Sequence, residues 1–455
     1  MPLELQKIFR VRAKARHLWA GGRVATSQDL AAFFVARSVE LYLRIGGRFG
    51  FVMPLATLLG EAYEGFRQGD FSSVSEECAV SFKVPWDLEQ VDPKPFPVPS
   101  CVVFGLRAAS SSHKDRLPMP SARMRGSGNV ASGAPEGGED GLSLVLDSQA
   151  VGAVKRPRNS ASPYGTRFRQ GAALVPRMLI LVVTDAPGPL PVPKTLRAVH
   201  SRRGSLEKKP WSELPAQKGV VESIFVRPAY LGEHVLPFGL WASATAVVPF
   251  DGKHMLSGDD ERIDRYPKFA GWWRAAEAQW DEHKADGSLR TLTEQVDYQG
   301  KLSAQLPATD LRVVYTTSGS YLASAIVDDS RAVIDMSLNW AAVSSLSEGR
   351  YLEAVINSSV LGKLVLPYQN RGAFGPRHFA KLLWRLPVPE FDASNELHQR
   401  LVDLAERAEG VESIVSAEID GHAHFQRARG VVRETLVTAG IADQLDAAVT
   451  ELLGH

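Results

Sequence analysis

Residues 27–54, SQDLAAFFVARSVELYLRIGGRFGFVMP, decide the fold class. Leu30, Phe33, Phe34, Ala36, Val39 and Leu43 recur at helical spacing behind Ser27, a residue suited to cap a helix N-terminus, and Gly46-Gly47 is a stop. RFGFVMP follows, a short apolar run between Gly and Pro, the pattern of a buried parallel strand. Working outward, a second helix is expected from about Ala56 to Arg67, and strands over Val80–Leu88 and Ser100–Arg107, joined by the Pro-rich DPKPFPVP of residues 92–99. Helix, strand, helix, strand, strand predicts an α/β fold, the closing portion of a doubly wound Rossmann-like sheet, over residues 1–109.

Residues 110–170 differ in kind. SSSHKDRLPMPSARMRGSGNVASGAPEGGEDG (110–141) is rich in Ser, Gly and Pro without sustained periodicity, and reads as a flexible insertion. Order resumes in an α+β segment, 171–393. It opens with LVPRMLILVV (174–183) and a basic, turn-rich VHSRRGSLEKKPW (199–211). Strand-like runs near Val220–Val226, Ala244–Phe250, Arg312–Thr317 and Ala332–Ile334 then alternate with helical patterns at Trp272–His283 and Tyr351–Leu366. From 394 to 455 the apolar stripe of LHQRLVDLAERAEGVESIVSAEI predicts C-terminal helices.

The chain has 455 residues, 44% hydrophobic and 23% charged, as expected of a globular protein of two or three domains. No run of eighteen apolar residues exists and the N-terminus MPLELQKIFR is charged, so the expected location is cytoplasmic, without a membrane partner. Cys78 and Cys101 are too few for a disulfide framework and suit buried packing. His422 and His424 have no acidic or cysteine partner at ligand spacing, so no metal site is read. The net charge of +1 hides an asymmetry: residues 110–218 hold 17 Lys and Arg against 8 acids, whereas 390–455 hold 13 acids against 5. The basic middle either faces a polyanion or is a solvated loop, and charge alone leaves both open.

Three stretches resemble the large adenine-specific (N6) DNA methyltransferases of restriction-modification systems, the type IIG-like kind, and specifically their C-terminal half. HLWAGGRVATSQDLAAFFVARSVELYLRIGGRFGFVMPLATLLGEAYEGFRQG (17–69) is similar to the segment after the catalytic strand, and FPVPSCVVFGL (96–106) to the last strand. GVVESIFVRPAYLGEHVLPF (219–238), YPKFAGWWRAAEAQW (266–280), DYQGKLSAQL (297–306) and the stretch from Tyr351 to Glu390 are similar to the recognition domains. The resemblance implies transfer from S-adenosylmethionine to an extruded adenine in the complete enzyme. Two of its elements are missing. No strand followed by a Gly-rich donor turn precedes Ser27, and the only G-x-G, Gly126-Ser127-Gly128, lies in the insertion. The Asn/Asp-Pro-Pro-aromatic motif that would hold the adenine amino group is also lacking, since the chain contains no Pro-Pro. The chain is thus expected to begin downstream of that motif, to bind no cofactor alone and to be inactive alone.

Carried over, Gln28, Asp29, Leu30 and Phe33 match the helix beside the methyl-donor pocket, though Leu30 and Phe33 also read as the buried face of a helix. Phe96 is a candidate to brace the extruded base, or a surface staple in a Pro-rich loop. Asn370, Arg371, Arg377, His378 and Lys381, in PYQNRGAFGPRHFAK (367–381), are candidates to read base edges and meet phosphate, or form a solvated basic loop. Arg202, Arg203, Lys208 and Lys209 are candidate phosphate contacts or a charged turn. Trp272, Trp273 and Trp280 fit core packing better than base stacking. The expected partner is double-stranded DNA, with a separate chain as the possible carrier of the donor-binding and catalytic motifs. Rival readings are a specificity subunit acting with a partner and a decayed remnant.

Overall fold

The structure is a computed structural model. It describes residues 3–19, 30–59, 63–74, 76–92, 95–96, 98–110, 112, 116–117, 121–127, 145–151, 162–185, 193–204, 207–285, 287–319, 321–365, 371–372, 375–376, 378–379, 382–418 and 424–454. Two compact units are present, Met1–Asn159 with Val365–His378, and Ser160–Leu364 with Phe379–His455. The architecture is mixed α/β, with helices and several separate sheets. Among the described residues no helix is long and apolar enough to cross a membrane.

In the first unit α1 (Leu3–Lys14) and α2 (Leu30–Tyr42) precede β1 (Arg48–Pro54), which occupies the run read from the sequence. Gly46, at φ +83°, turns the chain between α2 and β1, a conformation that costs a side-chain-bearing residue steric strain. The helix expected from Ala56 to Arg67 is α3 (Ala56–Leu59) and α4 (Glu64–Gln68), and the strand expected over Val80–Leu88 is β2 (Ala79–Phe82) and β3 (Trp86–Asp92). β4 (Ser100–Ala108) pairs antiparallel with β1, β2 and β3.

RFGFVMP is not the buried parallel strand expected from its sequence: β1 is an antiparallel strand with one side exposed. Phe49, Phe51 and Met53 point inward while Arg48, Gly50 and Val52 are exposed, the period-two pattern of a sheet with one wet face. Its register places Phe49 opposite Gly105 and Phe104 opposite Gly50, so each ring lies over a glycine. A Cβ on Gly105 would stand 2.5 Å from the Phe49 ring. Among the described residues β1 pairs with β4 alone, and Val52 on β1 is exposed together with Leu30, Phe34 and Leu41 on α2. Two more strands, β5 (Ser121–Ser127) and β6 (Val145–Val151), extend this sheet from within the segment read as an insertion, β5 running parallel to β3. Cys78 and Cys101 are buried free thiols, as packing predicts.

The second unit begins with α5 (Tyr164–Arg167), β7 (Arg169–Gln170), α6 (Arg177–Ile180), β8 (Leu181–Thr184), β9 (Leu196–Ser201), β10 (Lys218–Glu222), β11 (Val226–Tyr230), β12 (Val235–Leu236), β13 (Gly239–Leu240) and β14 (Ala244–Val247). α7 (Pro267–His283) and α8 (Leu292–Val296) follow, then β15 (Leu311–Thr316), β16 (Ser324–Asp328), β17 (Val333–Ile334), β18 (Leu338–Ala342), α9 (Leu346–Asn357) and α10 (Ser359–Val365). One sheet runs β10-β9-β8-β14-β11-β17 and another β16-β15-β18-β7. The helix expected over Tyr351–Leu366 breaks at Ser358, whose extended backbone ends α9 before α10 begins. An antiparallel pair that belongs to the first unit, β19 (Arg371–Gly372) with β20 (Gly375–Pro376), comes next in the chain, and the second unit closes with the C-terminal helices α11 (Glu396–Glu418), α12 (Phe425–Thr438) and α13 (Ile441–Leu453).

One core cluster of this unit gathers β8, β11, β14 and the inner face of α7. Phe225, Phe269 and Trp273 form a continuous stack there, with ring centroids 3.7 Å and 5.7 Å apart. Trp272, Trp273 and Trp280 are all core residues, as their spacing predicts.

Candidate nucleic-acid interface

The basic stretch begins in the last residues of β9, and Arg202, Arg203 and residues 207–211 lie between β9 and β10. Its four cationic candidates divide. Arg203 donates to the carbonyl oxygens of Ser212, at 2.5 Å, and Leu214, closing the turn on itself. Arg202 pairs with Glu233 at 3.3 Å. Lys208 and Lys209 are exposed and line an open cleft of about 480 Å3 together with Arg177, Glu207, Trp211 and Trp280. Lys209 reaches Glu213 at 2.5 Å, an exposed pair that a competing phosphate can displace at little cost. Among the described residues Lys208 forms no ion pair.

Four contacts fix the cleft walls. Trp211 stacks on Trp280 with centroids 5.7 Å apart and planes 16° apart, and the His283 ring meets Trp211 edge-on. Trp280 is anchored in turn, its Nε1 donating to the Arg290 carbonyl at 2.8 Å. Glu207 spans from the basic turn to α6, where its Oε1 accepts the Met178 N–H at 2.9 Å. Its Oε2 is buried and has no hydrogen-bond partner among the described residues. Chemically, the cleft offers cations for an anionic group, two indole side chains in its lining, and a glutamate with one buried, unpartnered oxygen.

The remaining candidates stand as follows. Gln28, Asp29, Asn370, Arg377 and Lys381 lie outside the described residues, as does His422. Arg371 lies in β19, and His378, two residues past β20, is exposed. Leu30 is 54% exposed, whereas Phe33 packs edge-on against Phe9 at 5.5 Å. Phe96 is 37% exposed and lines a small hollow of about 10 Å3. Among the described residues no group of three or more His, Cys, Asp or Glu is placed to hold a metal ion.

Sequence reasoning did not single out Arg177, Glu207 or Trp211. Trp211 follows Lys208-Lys209-Pro210 directly, and an aromatic next to paired lysines is a signal that could have marked it. Arg177 lies about thirty residues upstream, and only the fold brings it to the cleft.

No protein-family model matches the chain, and no curated protein matches it. Among solved structures it is similar to the type IIG restriction endonuclease BpuSI, at 12% sequence identity and a TM-score of 0.28. The match covers 98% of this chain and 51% of that one, so the chain spans about half the length of the structure it matches. A TM-score that low carries no residue role and no activity from one protein to the other.

Proposed function

We propose that this chain is the DNA-binding and target-recognition part of a site-specific adenine-N6 DNA methyltransferase, recognition lying in residues 171–393. The observation that carries this reading is the cleft in the second unit. There Lys208 and Lys209, candidate phosphate contacts by sequence, stand beside Arg177 and a stacked indole pair. Cations and aromatic rings on one surface are what a protein needs to hold a nucleic-acid backbone and its bases. The resemblance of residues 17–69, 96–106 and 219–390 to the adenine methyltransferases supports the same reading. In the complete enzyme S-adenosylmethionine supplies the methyl group, and this chain alone is proposed to be inactive.

Exchange of both Lys208 and Lys209 for Ala is expected to weaken binding to every duplex. It should flatten the dependence of log K on log salt by about 0.9 for each phosphate that is no longer neutralised. Arg371→Ala or Arg377→Ala is expected instead to cost about 1–3 kcal/mol on a preferred site and less elsewhere, as for a bidentate contact to guanine. Fluorescence anisotropy with labelled duplexes separates the two. Equal weakening of all duplexes by all four exchanges would exclude base reading by the 367–381 loop, and no effect from any would leave the basic turn a solvated surface.

The purified chain is also expected to show no measurable affinity for S-adenosylmethionine by calorimetric titration. Micromolar affinity, or methyl transfer to DNA, would contradict the assignment of donor binding to another part of the enzyme. A second reading, a specificity subunit that works with a separate catalytic chain, is favoured by the first unit. There an edge strand stands beside exposed Leu30, Phe34, Leu41 and Val52, the kind of surface that associates.

A further inference from the structure

We infer that the Trp211 cleft is a binding site for a single unstacked nucleotide whose base carries an exocyclic amine. The base lies on Trp211, its amine donates to Glu207 Oε2 as that buried oxygen turns toward the cleft, and its phosphate sits among Lys208, Lys209 and Arg177. The inference deepens the DNA-binding reading and takes from it that phosphate-bearing ligands reach this turn. Four observations converge on one occupant. The cleft volume of about 480 Å3 lies within the roughly 300–1,000 Å3 of small-molecule sites. Trp280 covers one face of Trp211 and fixes its plane, so a ring entering the cleft meets an indole that has little freedom left to lose. Base stacking on such a platform tolerates any base, so the stack supplies affinity and leaves selectivity to a polar group.

Glu207 is that group. A buried carboxylate oxygen without a partner is costly to maintain, and here the unpartnered atom belongs to a cleft-lining residue. An amine N–H satisfies it, as cytosine N4 or adenine N6 can, whereas thymine presents a carbonyl at the equivalent position. The cations complete the match: Lys208 and Lys209 are exposed, Arg177 is half-buried, and a phosphate can be shared among them. The shared chemistry, a base with its phosphate, comes either from a free mononucleotide or from a base splayed out of a strand.

The test uses the full chain and four probes: adenosine monophosphate, and short fluorescein-labelled oligodeoxynucleotides of adenine, of cytosine and of thymine, with a duplex as reference. Adenine and cytosine strands are expected to bind better than thymine strands. Trp211→Ala should weaken every single strand at least about fivefold, and Trp211→Phe should restore part of the loss. Glu207→Gln keeps an acceptor for the Met178 N–H and turns the other corner into a donor. It should therefore abolish or invert the preference over thymine, with a thermal transition close to that of the parent. Displacement by adenosine monophosphate identifies a free-nucleotide site, and its failure while strands still bind identifies a strand site. Duplex binding that falls with salt but ignores Trp211 and Glu207 exchanges would overturn the inference and leave the DNA-binding reading standing. Single-strand binding with the expected preference, but no duplex binding, would do the reverse.

Discussion

Glu40→Ala is expected to destabilise the first unit by about 3–5 kcal/mol, the usual consequence of removing one partner of a buried ion pair. Glu40 and Arg16 are both buried, and the pairing is bidentate. Arg16 Nε donates to Oε2 at 2.9 Å and Nη2 to Oε1 at 2.8 Å, while Arg37 donates to Oε2 as well. Burial alone would raise the Glu40 carboxyl, but the guanidinium hydrogen bonds from Arg16 and Arg37 outweigh it and hold the group at about 2, below its ordinary value of 4.5. The sign follows from linkage. A folded-state value below the unfolded one adds stability that is fully present above about pH 4.5 and is lost as pH falls through 4.5 toward 2. Hydrogen exchange of the β1 and β4 amides as a function of denaturant reads this unit separately from the other. An acid ramp should open the parent's first unit across that window and the Glu40→Gln variant with a weaker pH dependence. A cost below about 1 kcal/mol would show that α1 and α2 are held by apolar contacts alone.

That pair also shows where sequence reasoning stops. The helix carrying Glu40 was legible from apolar spacing, and β1 was legible to the residue because Gly and Pro bound it. The sense of pairing was not, since seven residues bounded by Gly and Pro suit a parallel or an antiparallel neighbour. The deciding feature was the reciprocal contact of Phe49 with Gly105 and of Phe104 with Gly50, which spans more than fifty residues of chain. Strands β5 and β6 were missed because SARMRGS and VLDSQAV are mostly small or polar and give no clear apolar alternation. In the candidate site, Lys208 and Lys209 were legible as charge. Arg202 and Arg203 looked equivalent in sequence, yet they serve Glu233 and the turn itself. Glu207 was invisible because its role depends on α6 presenting the Met178 N–H to one oxygen and leaving the other without a partner.

Trp273→Ala is expected to destabilise the second unit by about 3–5 kcal/mol, the range for truncating a buried aromatic. Trp273 is wholly buried in the α7 face, and its ring continues the Phe225–Phe269 stack. Nε1 donates to Glu277 Oε1 at 3.1 Å and to Thr293 Oγ1 at 3.0 Å, tying α7 to α8. Truncation therefore opens a cavity and removes a donor from Glu277, a carboxyl that burial already pushes above its ordinary range. Trp273→Phe keeps most of the stack and loses only the donor, so it should cost clearly less than the alanine exchange. Urea unfolding of both variants, followed by far-ultraviolet circular dichroism, gives the two figures. Equal losses would place the stability in the N–H group and not in the stack.

Single-stranded and mononucleotide probes address the Trp211 cleft, but the claim on which the functional reading stands is that the second unit binds duplex DNA through its basic turn. The direct measurement is the affinity of the full chain for a labelled duplex across a series of salt concentrations, repeated with Lys208→Ala/Lys209→Ala. The account predicts a straight fall of log K with log salt in the parent, and a slope flatter by about 1.8 in the double variant if each lysine neutralises one phosphate. Duplex binding that does not change with salt, no binding at low salt, or a slope identical in parent and variant would contradict it.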